Sequence, residues 1–386
     1  MDSVYWTKHK EKWIQSNKRD SSMELLRILA IIMIIFHHFV NWSHSPFLIE
    51  DISIQKFRYE LIHIWWKIWV NLFILISWYY LSKSNTVKIK KVIKFRCECF
   101  FYSLWIFLIY CFFSHTKITI WNLIDASTPI TSYHLWFTAP YIIMYLLHPL
   151  LNIVCSSFNK KSHKKFLTLL MLVWIIVPIF HPVWWEDFNN QVLWFISIYF
   201  VANYIRCYQS DFTSNKKEIK KTLIESCLLL YLLKVIIIII EAKLTIIPTY
   251  IHNALREMKP YSITVFTISI LLFLYFTTIK IKYKKRINII ASTTFWIYLI
   301  HGNRLLKPIM RNSWFKVQDS RWSLNVIPYS IAVVMIIFCI CAIIDLLRQY
   351  FLERPFLKFI DKNINRIDKW LNKILSKIKL LGNPFI

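Results

Sequence analysis

The chain has 386 residues, 56% of them apolar, a mean hydropathy of +0.43 and a formal charge of +27. A soluble domain runs at roughly 45–50% apolar with glycine counted, so this excess cannot all hide in one globular core. The two glycines, Gly302 and Gly382, exclude every motif that needs a glycine pair: the phosphate-cradling P-loop, the dinucleotide-binding turn and the GxSxG nucleophile elbow.

Ten apolar runs follow one another, most of them long enough to cross a bilayer as helices. They are Met23–Val40, Ile62–Leu81, Cys97–Phe113, Trp136–Val154, Phe166–Phe180, Asn190–Ile205, Leu223–Ile240, Tyr261–Thr278, Ile289–His301 and Val326–Ile344. Counting Lys and Arg orients them. With the N-terminus inside, the inside segments hold 34 of the 48 basic residues and the outside loops 11. Reversing the chain would invert that bias. The charge therefore follows from membrane topology and implies no nucleic-acid partner. The expected fold is all-α: a polytopic helical bundle of about ten transmembrane helices, both termini cytoplasmic, in the plasma membrane.

Residues 1–22 read as a cytoplasmic N-terminal segment, too polar for the first span to be a cleaved signal peptide. Residues 23–344 form the membrane domain and 345–386 a basic tail. In that tail Ile364, Ile367, Leu371, Ile374 and Ile378 recur at helical spacing, as in an amphipathic helix on the inner leaflet. The eight cysteines are scattered. The CxC pairs, Cys97/Cys99 and Cys339/Cys341, point to opposite helix faces, so no metal site is expected.

The informative polar residues lie inside the first span, where ionisable groups are costly and mark function by default. Arg27 and His38 are eleven residues apart, which leaves them about 20° from one face and about 16 Å apart along the axis. His37 lies well off that face. Glu24, one turn before Arg27, can hold its guanidinium. The bland alternative is an arginine that snorkels to the headgroups and histidines that only pack.

Asp20-Ser21-Ser22-Met23-Glu24-Leu25-Leu26-Arg27, running on to His37-His38, resembles the opening of the membrane acyltransferase-3 family, whose first helix carries Arg-x10-His. Three later segments extend the likeness: Trp136-Phe137-Thr138-Ala139-Pro140-Tyr141; Ser292-Thr293-Thr294-Phe295-Trp296-Ile297-Tyr298-Leu299-Ile300-His301; and Asp345-Leu346-Leu347-Arg348 with Glu353-Arg354-Pro355. The resemblance implies acyl transfer, usually of acetyl, from cytoplasmic acyl-CoA to a hydroxyl of an envelope polysaccharide or lipid-linked sugar, with no permanently bound cofactor. Arg27 then suits CoA phosphates. His38 would deprotonate the acceptor hydroxyl or carry the acyl group itself.

The family's Arg-x2-Arg pair at its third span is here Lys91 and Lys94, with Arg96 close by; lysine keeps the charge without the bidentate fork. The glutamate pair that many relatives carry after the fourth-span tryptophan is here Tyr141 and Ile142. His301, Asn303, Trp136 and Tyr141 are acceptor-site candidates. The rival class is a transporter or flippase of lipid-linked sugars, for which inverted repeats and broken helices would speak; the sequence offers neither. A compositional oddity remains. At about 7% usage some 27 glycines are expected, against two, while tryptophan numbers 18. Trp66, Trp69, Trp78 and Trp296 fall where the resembling family tends to have glycine, the pattern expected if the source organism reads UGA as glycine.

Overall fold

A computed structural model describes residues 19–42, 66–130, 137–180, 191–243, 260–317, 319, 325–353 and 355–357. Among them there is helix and no strand. In chain order the helices are α1 Ser21–Trp42, α2 Trp66–Leu81, α3 Ile89–Ser114, α4 Ile120–Ser127, α5 Thr138–Ser156, α6 Lys160–Phe180 and α7 Gln191–Cys207. There follow α8 Gln209–Thr213, α9 Lys216–Lys243, α10 Ile263–Thr278, α11 Lys285–His301, α12 Leu306–Ile309 and α13 Val326–Arg348. Among the described residues, each of the ten apolar runs falls largely on a helix; residues 62–65 of the second run and Asn190 of the sixth lie outside them. Among the described residues α1, α3, α5, α9 and α13 are long and apolar enough to cross a membrane, and α2 and α10 are shorter apolar helices. Trp136, the N-terminal residues 1–18 and the tail from residue 358 lie outside the described residues.

Several boundaries move, α6 and α9 starting at Lys160 and Lys216 rather than Phe166 and Leu223, and two of the shifts bear on the site. The third run was expected from Cys97, but α3 starts at Ile89, so Lys91 and Lys94 ride on the helix itself. The last run was expected to end at Ile344, but α13 continues to Arg348 and passes into a π-helical turn, Gln349–Glu353. Both extensions carry ionisable side chains, which hydropathy alone places outside a span.

α1 sits at the centre, packed against α2, α10, α11 and α13. Its burial explains its composition: Leu26, Ala30, Ile31, Ile35 and Phe39 are each 1% exposed or less. Its start is pinned by polar side chains. The Asp20 carboxylate accepts from the Ser22 amide at 2.8 Å, a side-chain cap on the helix N-terminus. Ser22 Oγ donates to the Ile279 carbonyl and accepts from the Ile281 amide, while Ser21 Oγ accepts from the Lys284 amide and from Asn288 Nδ2. These bonds tie the first turn of α1 to the α10–α11 connection and fix its register against α11. The peripheral helices leave apolar side chains outward, among them Leu228 and Leu232 of α9 and Ile336 and Ile340 of α13. So much exposed apolar surface needs lipid around it.

Candidate functional site

Arg27, Ile31, Ile34 and His38 follow one another at i, i+4, i+7 and i+11, so they form a single stripe along α1. Two spaces open on that stripe. At the Arg27 end lies a cavity of about 930 Å³ whose wall carries the cations Arg19, Arg27, Lys83, Lys88, Lys91 and Lys94, in excess over the carboxylates Asp20, Glu24, Glu98 and Glu353. At the His38 end lies a space of about 30 Å³, walled by Ile31, Ile34, Val70, Phe73, Phe137, Phe295, Tyr298 and His38. Phe73 and Phe295 line both.

Arg27 is held without being used up. Its Nη1 pairs with Glu24 at 3.4 Å, its guanidinium lies 6.0 Å from the Phe73 ring centroid, and its Nε–H is buried with no hydrogen-bond partner. A guanidinium has five N–H donors, so the arrangement orients the group and leaves donors for an anion. Glu24 is 5% exposed and also faces Arg19 at 4.0 Å.

His38 meets His301, at the end of α11. His38 Nδ1 and His301 Nε2 are 2.9 Å apart, and His301 Nδ1 lies 2.6 Å from the Ile297 carbonyl oxygen. A carbonyl only accepts, so His301 Nδ1 must carry a hydrogen. In a neutral ring its Nε2 is then an acceptor, and His38 Nδ1 must donate to it. The bond network thereby assigns the tautomer of His38, leaving its Nε2 with a lone pair. That is the state required of a base or nucleophile. His301 is fully buried, and the chain turns away directly after it. At Gly302 a Cβ would meet the Tyr298 carbonyl oxygen at 2.7 Å, so this close turn needs glycine.

The other candidates divide. Tyr141 and Lys91 line the large cavity. Tyr141 stacks on Trp78 and Phe95 there, with ring centroids at 5.2 and 5.4 Å, and so stands with Arg27 rather than with His301. Asn303 accepts from the Leu305 amide at 2.9 Å and closes the turn after α11. Arg96 is exposed and lines neither space, because two residues past Lys94 the helix has turned by about 200°. His37 is buried and lines neither space.

Lys94 leads to a cluster that sequence reasoning did not assemble. It pairs with Glu353 and lies 3.9 Å from Glu98. Arg348, buried, pairs with Glu98, Asp345 and Glu353 at 3.0, 2.8 and 3.0 Å, and Tyr102 donates to Asp345 at 2.5 Å. The Arg348 guanidinium also lies 5.2 Å from the Trp296 ring centroid. This network clamps α3 to α13 and forms one wall of the cationic cavity. A glutamate inside an apolar run, four residues after Lys94, was the available signal for Glu98.

A family model described as an acyltransferase domain matches residues 20–346. No curated protein and no solved structure matches the chain. The chain belongs to the acyltransferase-3 family and is a membrane acyltransferase.

Proposed function

We propose that this acyltransferase moves an acyl group, acetyl in the first instance, from acyl-CoA to a hydroxyl of an envelope polysaccharide or lipid-linked sugar, in the plasma membrane. Both termini and the Arg27 end face the cytoplasm, in keeping with the distribution of Lys and Arg. The observation that carries the proposal is the stripe on α1: a guanidinium with spare donors opens on a cationic cavity at one end, and an imidazole with a free lone pair stands at the other.

The CoA phosphates bind Arg27 and the lysines beside it. The pantetheine arm runs along the stripe, whose length of about 16 Å matches an extended chain of that kind. At the far end His38 Nε2 takes the proton of the acceptor hydroxyl as its oxygen attacks the thioester carbonyl. The C–S bond breaks, and the departing thiolate receives the proton from His38. Products are the acyl ester and free CoA thiol. No metal is called for.

The test is purified protein in detergent or vesicles with acyl-CoA and envelope glycan, following CoA thiol release and ester formation by mass and NMR, beside His38→Ala. Thiol release coupled to ester formation, lost in the variant, supports the proposal. Sugar movement across vesicles without CoA turnover would overturn it in favour of a transporter or flippase.

A further inference from the structure

The chain directly after His301 is more basic than its place in the fold explains. Residues 302–317 carry Arg304, Lys307, Arg311 and Lys316 and no carboxylate. In the orientation proposed above they lie outside, where flanking Lys and Arg are depleted, so topology does not account for them. None of the four lines the donor cavity. The Lys307 ammonium acts electrostatically on both His38 and His301, and Lys67 of α2 adds to the field at His38. The basic segment therefore begins at the reacting end of the stripe. Asp125 of α4 pairs with Arg304, and Asp319 follows the segment, which still leaves cations in excess.

The segment is built rather than loose. It winds as α12 and then as a π-helical turn, Met310–Trp314, which leaves Lys307 and Arg311 about one turn apart. Met310 and Val317 are buried in the main core. The Val317 amide donates to the Arg311 carbonyl at 2.9 Å, and the Tyr329 hydroxyl to the Phe315 carbonyl. Lys316 is held at φ 41°, in the left-handed region that a lysine rarely adopts. Arg311 is partly buried, and its Nε–H is shielded from solvent with no hydrogen-bond partner. An unmet buried donor is costly, as at Arg27, and a guanidinium so placed is ready for an anion. Through Arg304 and Asp125 the segment joins α4, whose Ile120 and Trp121 are exposed. Exposed aromatic and aliphatic side chains on a short helix suit the membrane interface, so the cations stand at headgroup depth.

Resting on the acceptor reading above, we propose that Lys307 and Arg311, with Arg304 beside them, bind a phosphate group of the acceptor and so hold its hydroxyl toward His38. Phosphate fits this set better than a carboxylate does. It has oxygens enough to meet separate cations, with paired N–H donors from a guanidinium and a point charge from the ammonium. Two sources carry phosphate at this depth: the diphosphate of a lipid-linked sugar and the phosphodiester backbone of an anionic glycan. A neutral glycan offers the cations nothing.

The experiment uses the full chain in uncharged detergent with CoA saturating, so that the donor cavity is filled. Geranyl diphosphate stands for the lipid-linked source, glycerophosphoglycerol for the backbone source and geraniol for an uncharged tail; calorimetry reads the affinities. The expected result is binding of one or both phosphate probes and not of geraniol. Affinity falls by about 10-fold in Arg311→Gln, by less in Lys307→Gln, whose ammonium is more exposed, and not at all in Arg27→Ala. The probe that binds identifies the source. In acetyl transfer to envelope glycan the same two variants raise the KM for the acceptor and leave the KM for acetyl-CoA unchanged. Binding of neither phosphate probe, or affinity unchanged in both variants, overturns the site. Weakening in Arg27→Ala alone overturns it too, because the probe then sits in the donor cavity. Weakened probe binding with an unchanged acceptor KM assigns the site to phospholipid headgroups and overturns its acceptor role. Failure of CoA itself to bind overturns the donor reading instead, and the two variants still decide the phosphate site.

Discussion

The histidine pair permits a sharp test, because its geometry assigns unequal roles to its members. His38 faces the reacting space; His301 is fully buried and reaches the chemistry only through His38 Nδ1. His38→Ala should lower kcat by about 10²- to 10⁴-fold, the usual contribution of a positioned base. His301→Ala removes the acceptor that fixes the His38 tautomer. Taking as a guide the cost of losing a partner that orients a metal-bound histidine, it should lower kcat by about 10- to 100-fold, or about 1.4–2.7 kcal/mol. His301→Gln, whose amide oxygen can accept the same bond, should recover part. Because one group works through the other, the double variant should be no slower than His38→Ala alone. Single-turnover acyl transfer measures all four, and thermal melts in detergent establish that each protein is folded. Losses that multiply in the double variant would mean that His301 acts on the reaction independently, and the tautomer argument would fall.

Arg27→Ala should weaken acyl-CoA binding by roughly 10- to 100-fold, the worth of a hydrogen bond to a charged group, with Arg27→Lys recovering part; unchanged affinity in a CoA titration would remove Arg27 from the donor site. His37→Ala should change transfer far less than His38→Ala, since His37 lines neither space; a dead His37 variant beside an active His38 one would refute the helical-face argument. Arg348→Met leaves Glu98 and Asp345 buried without their main cation, and should cost about 3–5 kcal/mol of stability, read as a large fall in Tm; an unchanged melt would show that the cluster holds nothing together.

The helices and the Arg27–His38 stripe were legible in the sequence because both depend on one local period. An apolar run of helical length and an eleven-residue spacing need no knowledge of the neighbours. His301 was legible only as a histidine at the end of a run; its meeting with His38, 263 residues away, depends on how α1 and α11 pack. Tyr141 went to the other side for the same reason: its ring faces the α2 and α3 aromatics, and sequence spacing says nothing of which helix lies across. The Arg348 cluster was hidden more deeply. Glu98 and Tyr102 lie inside the third run, but their partners Lys94, Asp345, Arg348 and Glu353 come from beyond the expected span limits, where charges read as ordinary flanking residues.

A buried indole normally finds a partner for its N–H, and two in this core do: Trp174 donates to Ser197 Oγ at 2.8 Å and Trp194 to Asn71 Oδ1 at 3.1 Å. Trp42, Trp69 and Trp78 do not; each buries its indole N–H without a partner. Trp69 and Trp78 are among the four positions that the composition and the family likeness single out, and Trp42 is not. An unmet buried donor costs about 1–3 kcal/mol, so two of them on α2 are unexpected in a core shaped around indoles. The expectation is therefore that the gene carries UGA at positions 66, 69, 78 and 296 and that its host reads it as glycine. The nucleotide sequence tests this directly, and tandem mass spectra of the native protein test it independently. Glycine at position 296 would also take away the ring beside Arg348 and widen the wall of the cationic cavity. UGG codons at all four positions would end the argument, and the unpaired indoles would stand as the protein's own. Arg27 and His38 keep their places on α1 under either outcome, so the test of codon use and the tests of mechanism do not depend on one another.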